Sequence, residues 1–540
     1  MLACWPGLGE DMSNVGELIK GYGPDFPLLE ELLGIEASEA DLLRLEQPIP
    51  ELGRYLKDVK FMTEITSGRA IGSLRFQVIT EYFIQLSEEL SKRIVRNDNI
   101  VGRLSEDDKN IIRSLGTTPS EIIQAERIES FAEHDTAAAT DLIKILIAAR
   151  LPHLEEMIEG VHFACTSEDV MGNVFGIMNN RLVYGHVLPE IIDFCLSAMK
   201  YVDKFEGEKP MLLPGFTHNQ AAEPTTIGKK FMTKISSIEY LMSRMMENGN
   251  FIPFTGKLGG AIGNLTTHYA AYPYVNWDEF AKCFVQRFKL KYEPLTDQSV
   301  TFAVEAQHYT TIANMLTEVM KFTEDFIDMA SCPGQLFVKS KKKGAKGSSI
   351  MPNKSNAWGM EGALKMLSKS RDELFNYAKE LPDYPHEGNM GRSYLMREIG
   401  NVFMPLFIGL HRISSELHKY HPNQAKIDAF FSEYPGMSGS VLQTVLKRMR
   451  VPGDAYRSIQ EISINPDGSY ANAEQFRAGL SAKMEELGLT ADMKMELITL
   501  ADPKNAIGLA YTSSHKAMDI VRVTFNFYSN LMKDMVSESS

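Results

Sequence analysis

Three observations make this sequence predict an all-α protein. The stretches 190–206, 229–248 and 295–332 each run without a glycine or a proline. In the last of them Ile312, Met315, Leu316, Val319, Met320, Thr323, Phe326 and Ile327 keep one mostly apolar face at helical spacing, a Met-rich core stripe. From residue 79 onward, helical patterning recurs without strand alternation. If helical throughout, 295–332 would extend about 57 Å, longer than one ordinary globular layer. It then needs neighbours along its whole flank, so a long-helix bundle and oligomerisation are expected.

The bulk composition narrows the class. At 540 residues the chain can bury a large core, and 44% hydrophobic with 23% charged residues is ordinary for a globular protein. No uninterrupted apolar run approaches the ~18 residues of a membrane span. The start, MLACWPGLGEDM, lacks a basic flank and a long apolar stretch, so a cytoplasmic protein with no membrane partner is expected. Cys4, Cys165, Cys195, Cys283 and Cys332 are scattered and without CxxC spacing, which points to core thiols and to no zinc site. A net charge of -14 argues against a nucleic-acid partner.

Taken in order, the chain offers little chemistry up to residue 50, then Gly53-Arg54-Tyr55, by itself a surface turn. Helical pattern covers 79–94 and 120–149, and the second stretch contains Glu133-His134-Asp135, a pair that on a helix face is ordinarily solvated. At VHFACTSED, 161–169, an apolar segment gives way to a polar one, and Thr166 with Asp169 fits a helix start, which is also a ready anion site. Lys339, Lys341, Lys342, Lys343 and Lys346 form a basic run read as a solvated loop. Next comes GSSIMPNKSN, 347–356. Ser348 and Ser349 bring hydroxyls, Lys354 a point charge and Asn356 an orientable amide, in a turn stiffened by Pro352, so the loop can close over an anion. A helical run at 363–381 stops before Pro382, and the C-terminal hundred or so residues are helical with breaks at Pro452-Gly453 and Pro466-Asp467-Gly468. There is no GxGxxG, no Walker loop and no HExxH.

The 347–356 loop closely resembles the GSSxMPxKxNP signature of the fumarase/aspartase superfamily, with Ala357 in place of the final proline. Further stretches are similar to the adenylosuccinate lyase family, particularly its bacterial type: FACTSED at 163–169, THNQAAEPTTIGK at 217–229, and GKLGGAIGNLTTHYAAYPYVNW at 256–277. Arg54, Tyr55, His134, Asp135, Gln298 and Ser393 to Arg397 also fall where that family keeps ligand-contacting residues. The resemblance covers about residues 50 to 400.

What it implies is a three-domain helical subunit, divided near 1–155, 156–417 and 418–540, in a homotetramer whose active sites each draw on three subunits. The implied reaction eliminates fumarate from an N-succinyl nucleotide, a small-molecule substrate, with neither cofactor nor metal. Its implied catalytic residues are Ser348 as base, His218 as acid, Lys354 stabilising the serine oxyanion and Glu361 orienting the histidine. Arg54, Tyr55, His134, Asp135, Thr166, Ser167, Gln298, Ser349, Asn356, Ser393 and Arg397 are the implied substrate contacts. Several positions depart from the family pattern: Glu133, Asn219, Ala221, Glu223, Gly362 for an asparagine, and Gly388 for a ligand-binding arginine. The loss at 388 predicts a weakened phosphate contact that Gly388→Arg would restore. Two other readings stand beside the first: a paralogue acting on a different N-succinyl compound, and a non-catalytic helical oligomer. Retention of Ser348, Lys354, His218 and Glu361 together argues against the last.

Overall fold

In the computed structural model, which describes residues 53–92, 99–331, 335–344 and 346–536, the apolar stripe is buried as expected: Ile312, Met315, Leu316, Val319 and Phe326 have no exposed surface. Cys4 and Cys332 lie outside the described residues. The stripe belongs to a bundle of long helices: α1 (Ser167–Asn179), α2 (Leu188–Phe205), α3 (Ile227–Ser243), α4 (Ala303–Ala330), α5 (Trp358–Glu380), α6 (Ile399–Leu417) and α7 (Ala510–Val536). Helix α4 lies between α3 and α5, α6 packs on α5 and α2, and α7 returns from the C-terminus to pack on α3. The expected 295–332 helix is shorter than its sequence allows, since α4 has 28 residues and a length of about 42 Å. The cause lies in the backbone before it: Gln298 O accepts from Lys257 Nζ at 2.6 Å, and Gln298 N–H donates to Glu387 O at 3.0 Å. Phe302 then enters the helix at a φ of 59°.

The pattern over 120–149 also resolves differently, as two helices, Pro119–Ala132 and Asp135–Arg150. Glu133 turns left-handed at φ 52°, and His134 becomes the N-cap of the second helix, its Nδ1 accepting from Ala137 N–H at 3.3 Å. The His-Asp pair therefore sits at a helix start rather than along a helix face. A short side chain–backbone bond competed with helix continuation and won.

A π-helical turn, Asn180–Val187, joins α1 to α2, making one helical run from Ser167 to Phe205. By length and composition this run is long and apolar enough to cross a membrane, although no uninterrupted apolar stretch of that length occurs in it, and 61% of its apolar window is buried inside the protein. Its buried Asn173, Asn179 and Asn180 are hydrogen-bonded to Lys257 O, Tyr309 Oη and Lys289 O, which suits a core helix. Cys283 is exposed, so it is no core thiol, whereas Cys195 is buried. Lys339 pairs with Glu416 at 2.7 Å and lies over Trp358, so the lysine run is only in part a solvated loop.

Strand structure is short. The main piece is a hairpin, β1 (Leu212–Thr217) and β2 (Gln220–Thr226), which leads directly into α3. Near the C-terminus a second, smaller core forms from Leu442, Leu446, Ile459, Phe476, Leu480, Met484 and Leu497.

Glu206, at the end of α2, ties the hairpin exit to this frame by accepting from Gly228 N–H at 2.6 Å. Burial pushes its carboxyl up to about 7, against the opposing hydrogen bonds from Gly228 and Thr226. A folded-state value above the ordinary 4.5 means that the folded chain binds the extra proton, so this group's contribution to stability falls as pH rises from about 4.5 to 7. Buried His268 and His308 act in the opposite sense, since burial lowers each from 6.5 to about 4 and acid must charge them. Glu206→Gln is therefore expected to steepen the loss of stability between pH 7 and 4.5, read from urea midpoints across that range. An unchanged slope would mean that Glu206 titrates normally.

Candidate active site

His218 stands at the tip of the β1–β2 hairpin. Thr217 pairs with Gln220, and the two residues between them, His218 at φ 52° and Asn219 at φ 59°, both lie in the left-handed region, as a two-residue type I′ turn requires. Asparagine tolerates that conformation, so Asn219 serves where the family has glycine. The hairpin is fixed from the side of the C-terminal core: Tyr470 Oη donates to Gln220 Oε1 at 2.8 Å, and Ser440 Oγ donates to Glu223 Oε1 at 2.5 Å. Glu223 thus has a structural partner, and the imidazole is left exposed at a rigid apex.

The 347–356 loop folds back on itself. A Cβ at Gly347 would stand 2.2 Å from Lys354 O, so no other residue fits there. Ser348 Oγ accepts from Met351 N–H at 3.1 Å and, more weakly, from Ile350 N–H at 3.4 Å. These donors point at the oxygen that would carry charge if Ser348 ionised. Ser349, Lys354 and Glu361 are exposed and Asn356 is half-buried, and no described residue pairs with the Lys354 ammonium.

Asp169 is the hub of a third group. With Lys257 it forms an ion pair of 3.0 Å in which the two side chains are 1% and 0% exposed. Its Oδ1 accepts from Gly259 N–H at 2.7 Å, and its Oδ2 from Gly260 N–H at 3.0 Å and Thr166 N–H at 2.9 Å. One carboxylate therefore locks the start of α1, with Thr166 and Ser167, to the glycine-rich turn, and Lys257 extends the lock to Gln298. Nearby, Asp135 Oδ2 accepts from Arg75 Nη2 and Arg397 Nη2, each at 2.6 Å. Burial works against ionisation of Asp135, but the two guanidiniums outweigh it and hold its carboxyl below the ordinary range. Asp135, expected as a substrate contact, is engaged on its other oxygen too, accepting from Thr136 N–H at 2.6 Å. Arg75, Asp135 and Arg397 line one cavity of about 290 Å³. Ser393 lies on the short helix Gly391–Arg397 and is buried.

A fourth group gathers at the start of α5. Arg412 Nη2 donates to Tyr55 Oη and its guanidinium lies 4.7 Å from the Tyr55 ring centroid, with the Arg54 guanidinium 5.7 Å from the same centroid. A Cβ at Gly362 would come 2.8 Å from Arg412 Nη1, so the glycine leaves room for this arginine.

Within one chain, then, Thr166, Ser167, Gln298, Ser393, Arg397 and the His134-Asp135 pair belong to one region, and among the described residues no hydrogen bond or ion pair ties His218, the signature loop or Tyr55 to it. Among the described residues no hydrogen bond or ion pair links His218 to Ser348 or to Glu361. Sequence reasoning missed Arg75, Lys257, Arg392 and Arg412. Lys257 was within reach, since a lysine inside GKLGG is poor material for a solvated turn when an aspartate of the TSED segment needs a partner.

A family model described as a lyase matches residues 58–370. The chain belongs to the lyase family. This lyase is 28% identical to an adenylosuccinate lyase of Dictyostelium discoideum over 464 residues, 85% of the chain and 95% of the relative. It is 26% identical to that of Escherichia coli over 485 residues, 87% and 98%. These relatives bear out the assignment to the fumarase/aspartase superfamily and to an enzyme rather than a non-catalytic oligomer. The lyase also superposes on the crystal structure of 3-carboxy-cis,cis-muconate lactonizing enzyme from Pseudomonas putida, with a TM-score of 0.63 at 16% identity, covering 86% of this chain and 98% of the other. That likeness bears on the fold alone, and it agrees with the expected helical architecture.

Proposed function

We propose that this lyase splits adenylosuccinate into AMP and fumarate, and the related succinyl-carboxamide ribotide, as a cytoplasmic enzyme of purine synthesis. The observation that carries the reading is Ser348 Oγ held at the turn by two backbone N–H groups, in a loop whose shape demands Gly347. A serine hydroxyl is a poor base in water. With donors already aimed at Oγ, and Lys354 in the same loop, the alkoxide gains the stabilisation it needs to take a proton from the carbon beside a carboxylate. The carbanionic intermediate then expels the nitrogen, to which His218 delivers a proton as the carbon–nitrogen bond breaks. Thr166, Ser167, Gln298, Ser393 and Arg397 hold the anionic groups of the substrate.

We further propose a homotetramer with shared sites. Among the described residues no hydrogen bond or ion pair joins His218 to Ser348 within one chain, and Ile520, Val523 and Phe527 form an exposed apolar row along α7, 56%, 71% and 50% exposed. Mixing His218→Ala with Ser348→Ala protein and allowing subunit exchange is expected to restore part of the activity, because some mixed sites receive both intact residues. Exchange confirmed by native mass spectrometry without any return of activity would sink the shared-site arrangement. The substrate itself is tested by fumarate release from adenylosuccinate at millimolar concentration. If the folded wild type releases none, the enzyme acts on another N-succinyl compound.

A further inference from the structure

Arg392 carries a buried charge for which the described residues supply an aromatic neighbour but no carboxylate. It lies in the short helix Gly391–Arg397 and is 5% exposed. Its guanidinium stacks on Tyr384, with Cζ 3.5 Å from the ring centroid, and faces Phe302 at 5.4 Å. Among the described residues no carboxylate lies within ion-pair distance of it, and Nη1 is buried without a hydrogen-bond partner. Ring contacts offset only part of the cost of burying a guanidinium, so an anion is the missing member.

Gly388 makes the room for this side chain. A Cβ at 388 would stand 3.2 Å from Arg392 Nη2 and 2.9 Å from Gln298 Oε1. Position 388 itself carries no cation, as the sequence shows, but the guanidinium of Arg392, four residues further along, stands beside it. Burial raises the carboxyl of Glu168, at the start of α1, against the influence of Arg392, Lys257 and Arg397, so all three cations bear on one spot next to Ser167.

We propose that Arg392 is a specificity-determining residue of this lyase, binding an oxyanion of the substrate, carboxylate or phosphate, beside Gln298 across the gap at Gly388. The substrate named here rests on the adenylosuccinate reading, but the anion site does not. Arg392→Gln is expected to raise KM for adenylosuccinate about 10- to 100-fold with kcat little changed, the loss of one charge-assisted contact made equally in ground and transition states. Independently, thermal-shift protection by fumarate and by AMP is compared in wild type and variant. Loss of protection by fumarate assigns a carboxylate, and loss with AMP a phosphate. Arg392→Lys keeps the charge but not the planar fork, and is expected to raise KM about tenfold, which covers the case of a glutamine variant that does not fold. Gly388→Arg should bring no gain, because the new side chain would meet Gln298 and a second guanidinium. Unchanged KM and unchanged protection in both Arg392 variants, or a wild type that neither ligand protects, would overturn the assignment and leave Arg392 as a stacking residue. A wild type that releases no fumarate from adenylosuccinate removes the substrate, while the fumarate protection arm still decides on Arg392.

Discussion

Replacing Asp169 by alanine is expected to destabilise the protein by about 3–5 kcal/mol, because it strands the buried Lys257 ammonium. The carboxylate also accepts from three backbone N–H groups, of Thr166, Gly259 and Gly260, so its removal leaves buried donors unsatisfied as well. The loss is read from the urea midpoint. The double variant Asp169→Asn with Lys257→Met should recover part of it, since neither buried charge then remains. Activity is not expected to recover with stability, because Lys257 also holds the carbonyl of Gln298. A single variant within 1 kcal/mol of wild type would mean that water reaches Lys257, contrary to its 0% exposure.

Ser348→Ala and His218→Ala are each expected to lower kcat by about 10²- to 10⁴-fold, the usual cost of a positioned base or acid. Stability should hardly move. His218 is exposed at the hairpin tip, and Ser348 is half-buried in a surface loop where its Oγ accepts only from Ile350 and Met351 of the same loop. Circular dichroism and native mass separate a catalytic defect from a folding one. Near-normal turnover in Ser348→Ala would remove it as the base.

Helix existence was legible from periodicity, and the 312–327 stripe is where that reading is cleanest, since each burial follows from spacing alone. Helix ends were not. Phe302 and Glu133 interrupt patterns that look continuous, because a carbonyl taken by Lys257 in one case and an imidazole cap in the other outweigh local propensity. The hairpin was invisible because THNQ carries no Asn-Gly or Asp-Gly pair, and its strands lack clean alternation. For the candidate site, motifs located Ser348, His218, Thr166 and Arg397, but no spacing rule pairs Asp169 with Lys257 across 88 positions or moves a cation from 388 to 392. Departures read singly as losses become, in three dimensions, openings that neighbouring arginines fill at Gly362 and Gly388.

The cap made by His134 fixes which way its ring can hydrogen-bond. Because Nδ1 accepts the Ala137 N–H, the neutral ring must carry its hydrogen on Nε2. The backbone thus selects the tautomer of the neutral ring, and its other nitrogen is a donor. A ligand group meeting it there must be an acceptor. An ammonium group, which has hydrogens to donate and no lone pair to accept with, would find no partner at that nitrogen, whereas a hydroxyl, a carbonyl or a carboxylate oxygen would.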